Sequence, residues 1–297
     1  MVMVNITELL ATYINALHIL HYHGVLDGYG HLSVRNPNNP PTFFMMHQMA
    51  PALVSGLDDI GEYRVSDAEP VHPGTPAAPL ERYIHSEILK RYSDVNVVLH
   101  GHPEELVAYS IGSVPLAAVI HMAPFLGEKV PVFDITDYYQ PNDTQDLLVR
   151  NQRLGAALAA EFDDATSNLS GSNTIQSHHN DFAYDGHDDG NHYGNTSSYP
   201  AHNLVLMQSH GFAAVATDIK IATFEGIYAV TNAKVQSEAL KIQHAYTGRG
   251  NGVVHLNERQ IRDSWETEID IVDKPWPLWL KEVKVDPLYV NELDPGF

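Results

Sequence analysis

The chain of 297 residues contains no cysteine and only 17 lysines and arginines, against 37 aspartates and glutamates. Without cysteine, disulfides and thiolate chemistry are excluded, so a bound metal must rely on histidine and carboxylate ligands. The formal net charge of −20 repels phosphate backbones, so nucleic acid is not an expected partner. An anionic substrate would need a local positive centre, which a divalent metal would provide.

Long apolar runs are also missing from the sequence. No stretch approaches the ~20 apolar residues of a membrane span, so we expect no membrane partner. The N-terminal residues 1–8 lack the basic region of a signal peptide. We therefore predict a cytoplasmic protein, although short glycosylation sequons leave secretion possible; they begin at Asn5, Asn142, Asn168 and Asn195.

The length and composition are enough for one large globular domain or two small ones. Apolar residues at helical spacing predict helices over 6–24, 80–91, 104–111, 146–162 and 219–246. Short apolar or alternating runs predict strands over 31–35, 42–46, 95–99, 130–133 and 204–207.

Two segments differ from the rest of the domain. Residues 163–201 are rich in Asp, Asn, Ser, Gly and His, so they cannot bury much surface and are predicted to be a mobile polar insertion. Residues 252–297 mix proline, tryptophan and charge, as in Pro275-Trp276-Pro277. We expect this C-terminal segment to wrap around the body of the domain or a neighbouring subunit.

The pair His100 and His102 is the strongest candidate for metal binding. It follows the apolar run 95–99, and residues two apart on a strand project to the same side. Histidine is the commonest metal ligand, and an open catalytic site needs about three protein ligands. The chain has 18 histidines, so a pair of ordinary hydrogen-bonded histidines at a strand end is the competing interpretation.

Two more segments carry candidate site residues. Glu81 and His85 share one face of the predicted helix 80–91, and His210 follows the apolar run 204–207 and precedes a glycine. Taken alone, Glu81 is typical of a solvated carboxylate at a helix start and His210 of a turn residue. The pair His21 and His23 is set aside, because positions two apart on a helix diverge by about 200°.

In this order, the segments resemble the class II aldolase/adducin family. The resemblance covers about residues 8 to 250, interrupted by the insertion, and its matched pieces are 30–35, 81–85, 94–102, 121–127, 209–212 and 232–233. It implies a single α/β domain over residues 1–297, built as a three-layer α/β/α sandwich around a mainly antiparallel sheet, and a homotetramer with sites at subunit borders. It also implies a divalent metal, zinc or else iron or manganese, on His100, His102 and His210. Glu81 would act as acid/base or support the metal before substrate arrives.

The departures from the family pattern bear on the substrate. Where the sugar-phosphate aldolases of the family carry Gly-Asn, a Thr-Gly loop and a Ser pair, this chain has Gly30-His31, the segment 47–51 and Pro79-Leu80. These replacements remove groups that cradle phosphate. The chain therefore looks more like family members that decarboxylate hydroxylated aromatic or β-keto acids.

Our first hypothesis is a metal-dependent lyase that decarboxylates a small hydroxy-aromatic or keto carboxylic acid through a stabilised enolate or phenolate. Arg35 or His31 could bind a substrate carboxylate, and His121 could be a second acid/base group. A surface salt bridge for Arg35 and a packed His121 are the plainer alternatives. An aldolase for a non-phosphorylated substrate, an Fe(II) oxygenase and a non-catalytic binding module remain open.

Overall fold

A seven-stranded sheet forms the centre of the computed structural model, which describes residues 3–163, 198–248 and 252–294. Its strands are β1 (His31–Arg35), β2 (Thr42–Met46), β3 (Ile60–Arg64), β4 (Val97–Gly101), β5 (Val132–Phe133), β6 (Leu204–Met207) and β7 (Gly211–Ala216). They are ordered β3-β2-β1-β4-β7-β6-β5. Every neighbouring pair is antiparallel except β5 with β6, so the predicted, mainly antiparallel sheet is confirmed.

Helices cover both faces of this sheet. They are α1 (Ile6–Tyr22), α2 (Arg82–Arg91), α3 (Glu104–Ser110), α4 (Gln152–Ala160), α5 (Ile219–Thr247), α6 (Glu258–Ile271) and α7 (Trp276–Lys284). Helices α1 and α5 pack together on one face, and α2 packs against β4 and α4 on the other. The predicted three-layer α/β/α sandwich is therefore confirmed.

The central strands are buried on both faces, which is why they appear in the sequence as nearly continuous apolar runs. On β1, the Leu32 carbonyl accepts a hydrogen bond of 2.8 Å from the hydroxyl of Tyr13 on α1. The alternate residue Ser33 meets His85 of α2 on the opposite face. The α2 face of β1 and β4 therefore carries the polar residues, and the α1 face is apolar.

The strand register places residues of the candidate site side by side on neighbouring strands. His31 of β1 lies opposite His100 of β4, and His100 lies opposite Ala213 of β7. Side chains of directly opposite residues in antiparallel strands share a face. His31 and His100 therefore point to the α2 side of the sheet, where Glu81 lies at the N-cap of α2.

The flanks of the polar insertion and the C-terminal segment each contact other parts of the domain. Of the predicted insertion 163–201, residues 164–197 lie outside the described residues. Its flanks come close together, since Asp163 pairs with Arg91 and the carbonyl of Ser198 accepts from the backbone N–H of Asp94. In the C-terminal segment, α7 packs on α1 and the Asn291 amide donates to the Ala11 carbonyl. Among helices in the described ranges, none combines the length and apolar character that crossing a bilayer requires.

Candidate metal centre

Three histidines from distant parts of the chain meet at one end of the sheet. The Nε2 atoms of His100 and His102 are 2.9 Å apart. The ring of His210 lies with its centroid 5.0 Å from that of His100 and 5.1 Å from that of His102. The structure thus brings together the residues that the resemblance assigned to a metal.

The tight turn between β6 and β7 positions His210. Its backbone N–H donates to the Met207 carbonyl at 3.1 Å, and the preceding Ser209 adopts a left-handed φ of 58°. A non-glycine residue in that region is uncommon and costs about 1–3 kcal/mol. Gly211 follows, and a Cβ there would lie 2.2 Å from the Gly101 carbonyl oxygen, so only glycine permits this approach of β7 to β4.

The fourth member of the cluster is Glu81, which is buried with only 7% of its surface exposed. Its Oε2 lies 3.5 Å from Nε2 of His100 and 3.4 Å from Nε2 of His210. Its Oε1 accepts a hydrogen bond of 3.0 Å from the backbone N–H of Val149. Although burial opposes ionisation, the neighbouring His100 and His210 hold the pKa of Glu81 well below its usual range.

Hydrogen bonds on the far side of the rings set the protonation of His100 and His102. Nδ1 of His100 lies 2.8 Å from the Phe212 carbonyl oxygen, and Nδ1 of His102 lies 3.2 Å from the Asp27 carboxylate. Both partners are acceptors, so each Nδ1 carries the ring proton and each Nε2 presents a lone pair. Burial, followed by the charge of His100, lowers the pKa of His102 to about 4, which keeps that ring neutral.

This donor set fits a divalent cation. Two lone pairs face each other at 2.9 Å with a carboxylate oxygen beside them, an arrangement that needs positive charge at its centre. Zinc–nitrogen bonds of about 2.0–2.1 Å place two ligating nitrogens roughly 3 Å apart. One ligand atom from each of Glu81, His100, His102 and His210 lies within 4.8 Å of all the others. Nδ1 of His210 is buried without a hydrogen-bond partner among the described residues, so this ring lacks the anchor of the other two.

His31 lies beside the cluster but outside that group of four. Its ring centroid is 4.9 Å from that of His100, and its Nδ1 is 2.7 Å from Nε2 of His85. Burial, with the nearby histidine charges, lowers the pKa of His31 well below its usual value. Burial and the charge of His100 likewise lower the pKa of His85 to about 3. Both rings are therefore neutral near pH 7.

Arg35 does not reach the cluster. It lies at the other end of β1 from His31, about 13 Å away along an extended strand. Its guanidinium donates to the carbonyls of four residues, namely Pro40, Leu89, Tyr92 and Val95. Arg35 therefore joins β1 to the end of α2 rather than forming a surface salt bridge, and a carboxylate-binding role for Arg35 stays a prediction.

His121 is not brought to the cluster within one chain. Its side chain is 70% exposed, and Nε2 lies 3.8 Å from Oε1 of Glu268 on α6. No hydrogen bond or ion pair joins it to His100, His102 or His210 within the described residues. The alternative of a packed histidine is also excluded by this exposure, and an acid/base role for His121 stays a prediction.

Several supporting groups were not found from the sequence. Asp27 anchors His102 while accepting the backbone N–H groups of Tyr29 and Gly30, and Val149 holds Glu81. The link between Asp27 and His102 is a tertiary contact, which residue spacing does not show. The main-chain groups of Phe212 and Val149 leave no sequence signal at all.

The profile of the Class II Aldolase and Adducin N-terminal domain matches residues 11–237 of the chain. The protein belongs to this family. The resemblance drawn from the sequence is thereby confirmed, and so is its decarboxylase-like branch. The decarboxylase tropJ of Talaromyces stipitatus is 39% identical over 283 residues, which cover 94% of this chain and 96% of that protein.

Weaker similarities extend the comparison. The 3,4-dihydroxyphthalate decarboxylase of Arthrobacter keyseri is 25% identical over 150 residues, covering 48% of this chain and 58% of that enzyme. Among solved structures, the L-fuculose 1-phosphate aldolase of Glaciozyma antarctica superposes with a TM-score of 0.63 at 16% identity, covering 96% of this chain and 92% of that one. At this identity the structural likeness shows the shared fold alone. Together the relatives support a lyase.

Proposed function

We propose that the protein is a metal-dependent decarboxylase of a small hydroxy-aromatic or keto carboxylic acid. The observation that carries the proposal is the cluster of His100, His102, His210 and Glu81, in which lone-pair nitrogens converge on one point beside a buried carboxylate. The similarity to two proteins named as decarboxylases supports this reaction over others that use the same kind of centre.

The three histidines would hold the divalent cation, with zinc as the first candidate. A cation held there would supply Lewis-acid stabilisation for the electron pair left on the substrate as CO₂ departs. It also supplies the local positive centre that a protein of net charge −20 needs to attract a carboxylate. The neutral Nε2 atoms of His100 and His102 are presented for this purpose by Phe212 and Asp27.

Glu81 would complete the reaction by delivering a proton. Loss of CO₂ leaves an electron pair on carbon, and one proton is required there to give the product. The Oε1 atom of Glu81 is held by Val149, so the ionised Oε2, which faces the histidines, would first take up a proton from solvent and then pass it to that carbon, which leaves the carboxylate ionised again. Because Val149 holds Oε1 in place, Oε2 can take up and release a proton in each turnover while the side chain keeps its position.

The segment that corresponds to the phosphate loop of the sugar-phosphate aldolases supports a non-phosphorylated substrate. Backbone N–H groups of His47, Gln48 and Met49 donate to carbonyls within the chain, at 2.9, 2.8 and 2.7 Å. They are therefore not free to bind phosphate oxygens. This agrees with the absence of the family's Thr-Gly and Ser pair from the sequence.

The test begins with metal content and product analysis of chelator-treated protein reloaded with zinc, manganese or iron(II). We expect one ion per chain, and release of CO₂ from at least one member of a panel of hydroxybenzoic, phthalic and β-keto acids. His102→Ala should lose the ion and the activity. His23→Ala is the matched control, because His21 and His23 have the same spacing but bind Tyr289 and Glu282 instead.

Other outcomes select other reactions. Release of an aldehyde without CO₂ would replace the proposal by retro-aldol cleavage of a non-phosphorylated substrate. Oxygen consumption during turnover would indicate an iron oxygenase. Equal metal occupancy in the wild type and in His102→Ala would remove the site altogether.

A further inference from the structure

The C-terminal end of α5 projects from the domain. All buried residues of this helix lie between Ile219 and Gln236, and from Lys241 to Thr247 every residue except the half-buried Gln243 is exposed. Short exposed helical segments are only marginally stable in water, because most helical stability in proteins comes from packing of an apolar face. The end of α5 is therefore expected to pack against a partner.

An apolar stripe runs along this projecting end. Its members are four, three and four positions apart and so share one face of the helix, namely Val235, Ala239, Ile242 and Tyr246. Ile242 is 69% exposed and Tyr246 is 91% exposed. A contiguous apolar surface of this kind, bordered by charged residues, is typical of a protein interaction site.

We propose that a second copy of this chain covers the stripe, with the two α5 helices packed antiparallel about a two-fold axis between Leu240 and Lys241. Val235 then lies opposite the partner's Tyr246, and Ala239 lies opposite the partner's Ile242. Each pair joins a smaller side chain with a larger one, so the two helices can approach evenly along the stripe. A parallel pairing would put Tyr246 against the partner's Tyr246 and Ala239 against the partner's Ala239, which requires unequal separations.

The charged residues beside the stripe favour the same arrangement. Glu238 and Lys241 lie along one edge of the stripe and pair with each other at 2.6 Å, with side chains 64% and 71% exposed. In antiparallel two-fold packing this edge meets the same edge of the partner. Glu238 then lies about 3 Å along the axis from the partner's Lys241, and two such pairs form about the axis. A parallel pairing would bring this edge against the edge that contains Gln243, where there is no opposite charge.

The local charge also suits a contact between copies. A chain with a net charge of −20 repels its own copies, so it associates most readily where acidic residues are scarce. Residues 234–247 contain two lysines and one glutamate. The contact goes beyond the proposed function, because none of its residues belongs to the cluster around His100.

The molar mass of the protein in solution tests the contact. We expect light scattering at about 10–100 µM to show a dimer or a tetramer. Ile242→Asp should halve this mass, because the new carboxylate would be desolvated without a partner. Leu278→Asp is the matched control, since Leu278 is 59% exposed on α7, and it should keep the wild-type mass. A monomeric wild type, or an unchanged mass in Ile242→Asp, would overturn the inference.

Exchange of the two charges tests the orientation of the helices. Glu238→Lys and Lys241→Glu each place like charges across the axis, so each should weaken association roughly 5- to 10-fold in sedimentation equilibrium. An equimolar mixture of these two variants should regain association, because a chain with two lysines then meets a chain with two glutamates. The pair within each chain stays broken in the mixture, so the recovery depends on contact between copies. A mixture that associates no better than its components would overturn the antiparallel pairing.

Discussion

Glu81 and Glu225 are both buried glutamates at or near the start of a helix, and they are in opposite states of charge. Glu81 faces two histidines through Oε2 and a backbone N–H through Oε1. Glu225, with no exposed surface, receives one hydrogen bond of 2.7 Å from Asn203, and its Oε2 has no partner among the described residues. The pKa of Glu81 lies well below its usual range, while burial raises the pKa of Glu225 to about 8.

The difference shows that neighbours, rather than burial alone, decide what a carboxyl group can do. Both residues lose solvation, which by itself favours the neutral acid. Only Glu81 lies beside two histidines that compensate for this loss, and this difference suits it to the proton transfer that we propose. Glu225 instead remains a neutral packing group of α5 near neutral pH.

Removal of the Glu81 carboxylate should produce the largest effect. We expect Glu81→Gln to lower kcat for CO₂ release by about 10²- to 10⁴-fold, the usual contribution of a proton-transfer group. Glu225→Gln is the matched control and should retain most of the activity. Metal content, measured in parallel, separates the two roles of Glu81: retention of the ion with loss of turnover indicates proton transfer, and loss of the ion indicates a ligand. Equal activity in the two variants would contradict the distinction drawn between these residues.

Ionisation of the Glu225 carboxyl group should make the free energy of unfolding depend on pH. Its folded pKa of about 8 exceeds the unfolded value of 4.5, so the folded state binds more protons between these limits. The free energy of unfolding should therefore fall as pH rises from about 4.5 to 8, with a slope of at most ~1.4 kcal/mol per pH unit and a total of a few kcal/mol.

Denaturant titrations of the wild type and of Glu225→Gln at several pH values measure this contribution. The difference between the two proteins should be small near pH 4.5 and grow to favour the variant by pH 8, because glutamine cannot ionise. Parallel curves for the two proteins across this range would show that Glu225 titrates normally.

The sequence was most informative where the apolar pattern is strong. Residues 31–35 and 42–46 form strands with the predicted limits. β3 was missed because Ile60–Arg64 is a partly exposed edge strand that contains a glycine and charges, and β7 because Gly211–Ala216 consists mainly of small residues of low strand propensity. The helix α6 was missed because its few apolar residues, although they share one face, stand among many charged ones.

The spacing of residues in the sequence predicted part of the candidate site. Residues two apart on a strand share a side, which located His100 and His102, and a histidine between a strand and a glycine pointed to His210. Spacing cannot show which end of a strand faces a site, so it could not show that Arg35 lies at the end of β1 away from the histidines. Nor can it show that Asp27 reaches His102, since that contact depends on the folded path of the chain.

Asp27 is a third carboxylate that can be compared with Glu81 and Glu225. Of the three residues, Asp27 should give the smallest effect when it is replaced. It is 48% exposed in its side chain and acts on the metal only through Nδ1 of His102. Loss of such a supporting charge typically weakens metal affinity by 10- to 100-fold, so we expect Asp27→Asn to weaken zinc binding within about that range.

The matched control is Asp59→Asn, because Asp59 also accepts backbone N–H groups in a turn, those of Ser55 and Gly56, but contacts no histidine of the centre. Competition with a chromophoric chelator measures both affinities. A similar weakening in both variants would mean that turn stability, rather than the charge beside His102, controls the site. Weaker zinc binding in Asp27→Asn alone would show that Asp27 has a third kind of role. Glu81 is proposed as a buried proton carrier and Glu225 is a neutral packing group. Asp27 would be an exposed charge that keeps a metal ligand in the required tautomer.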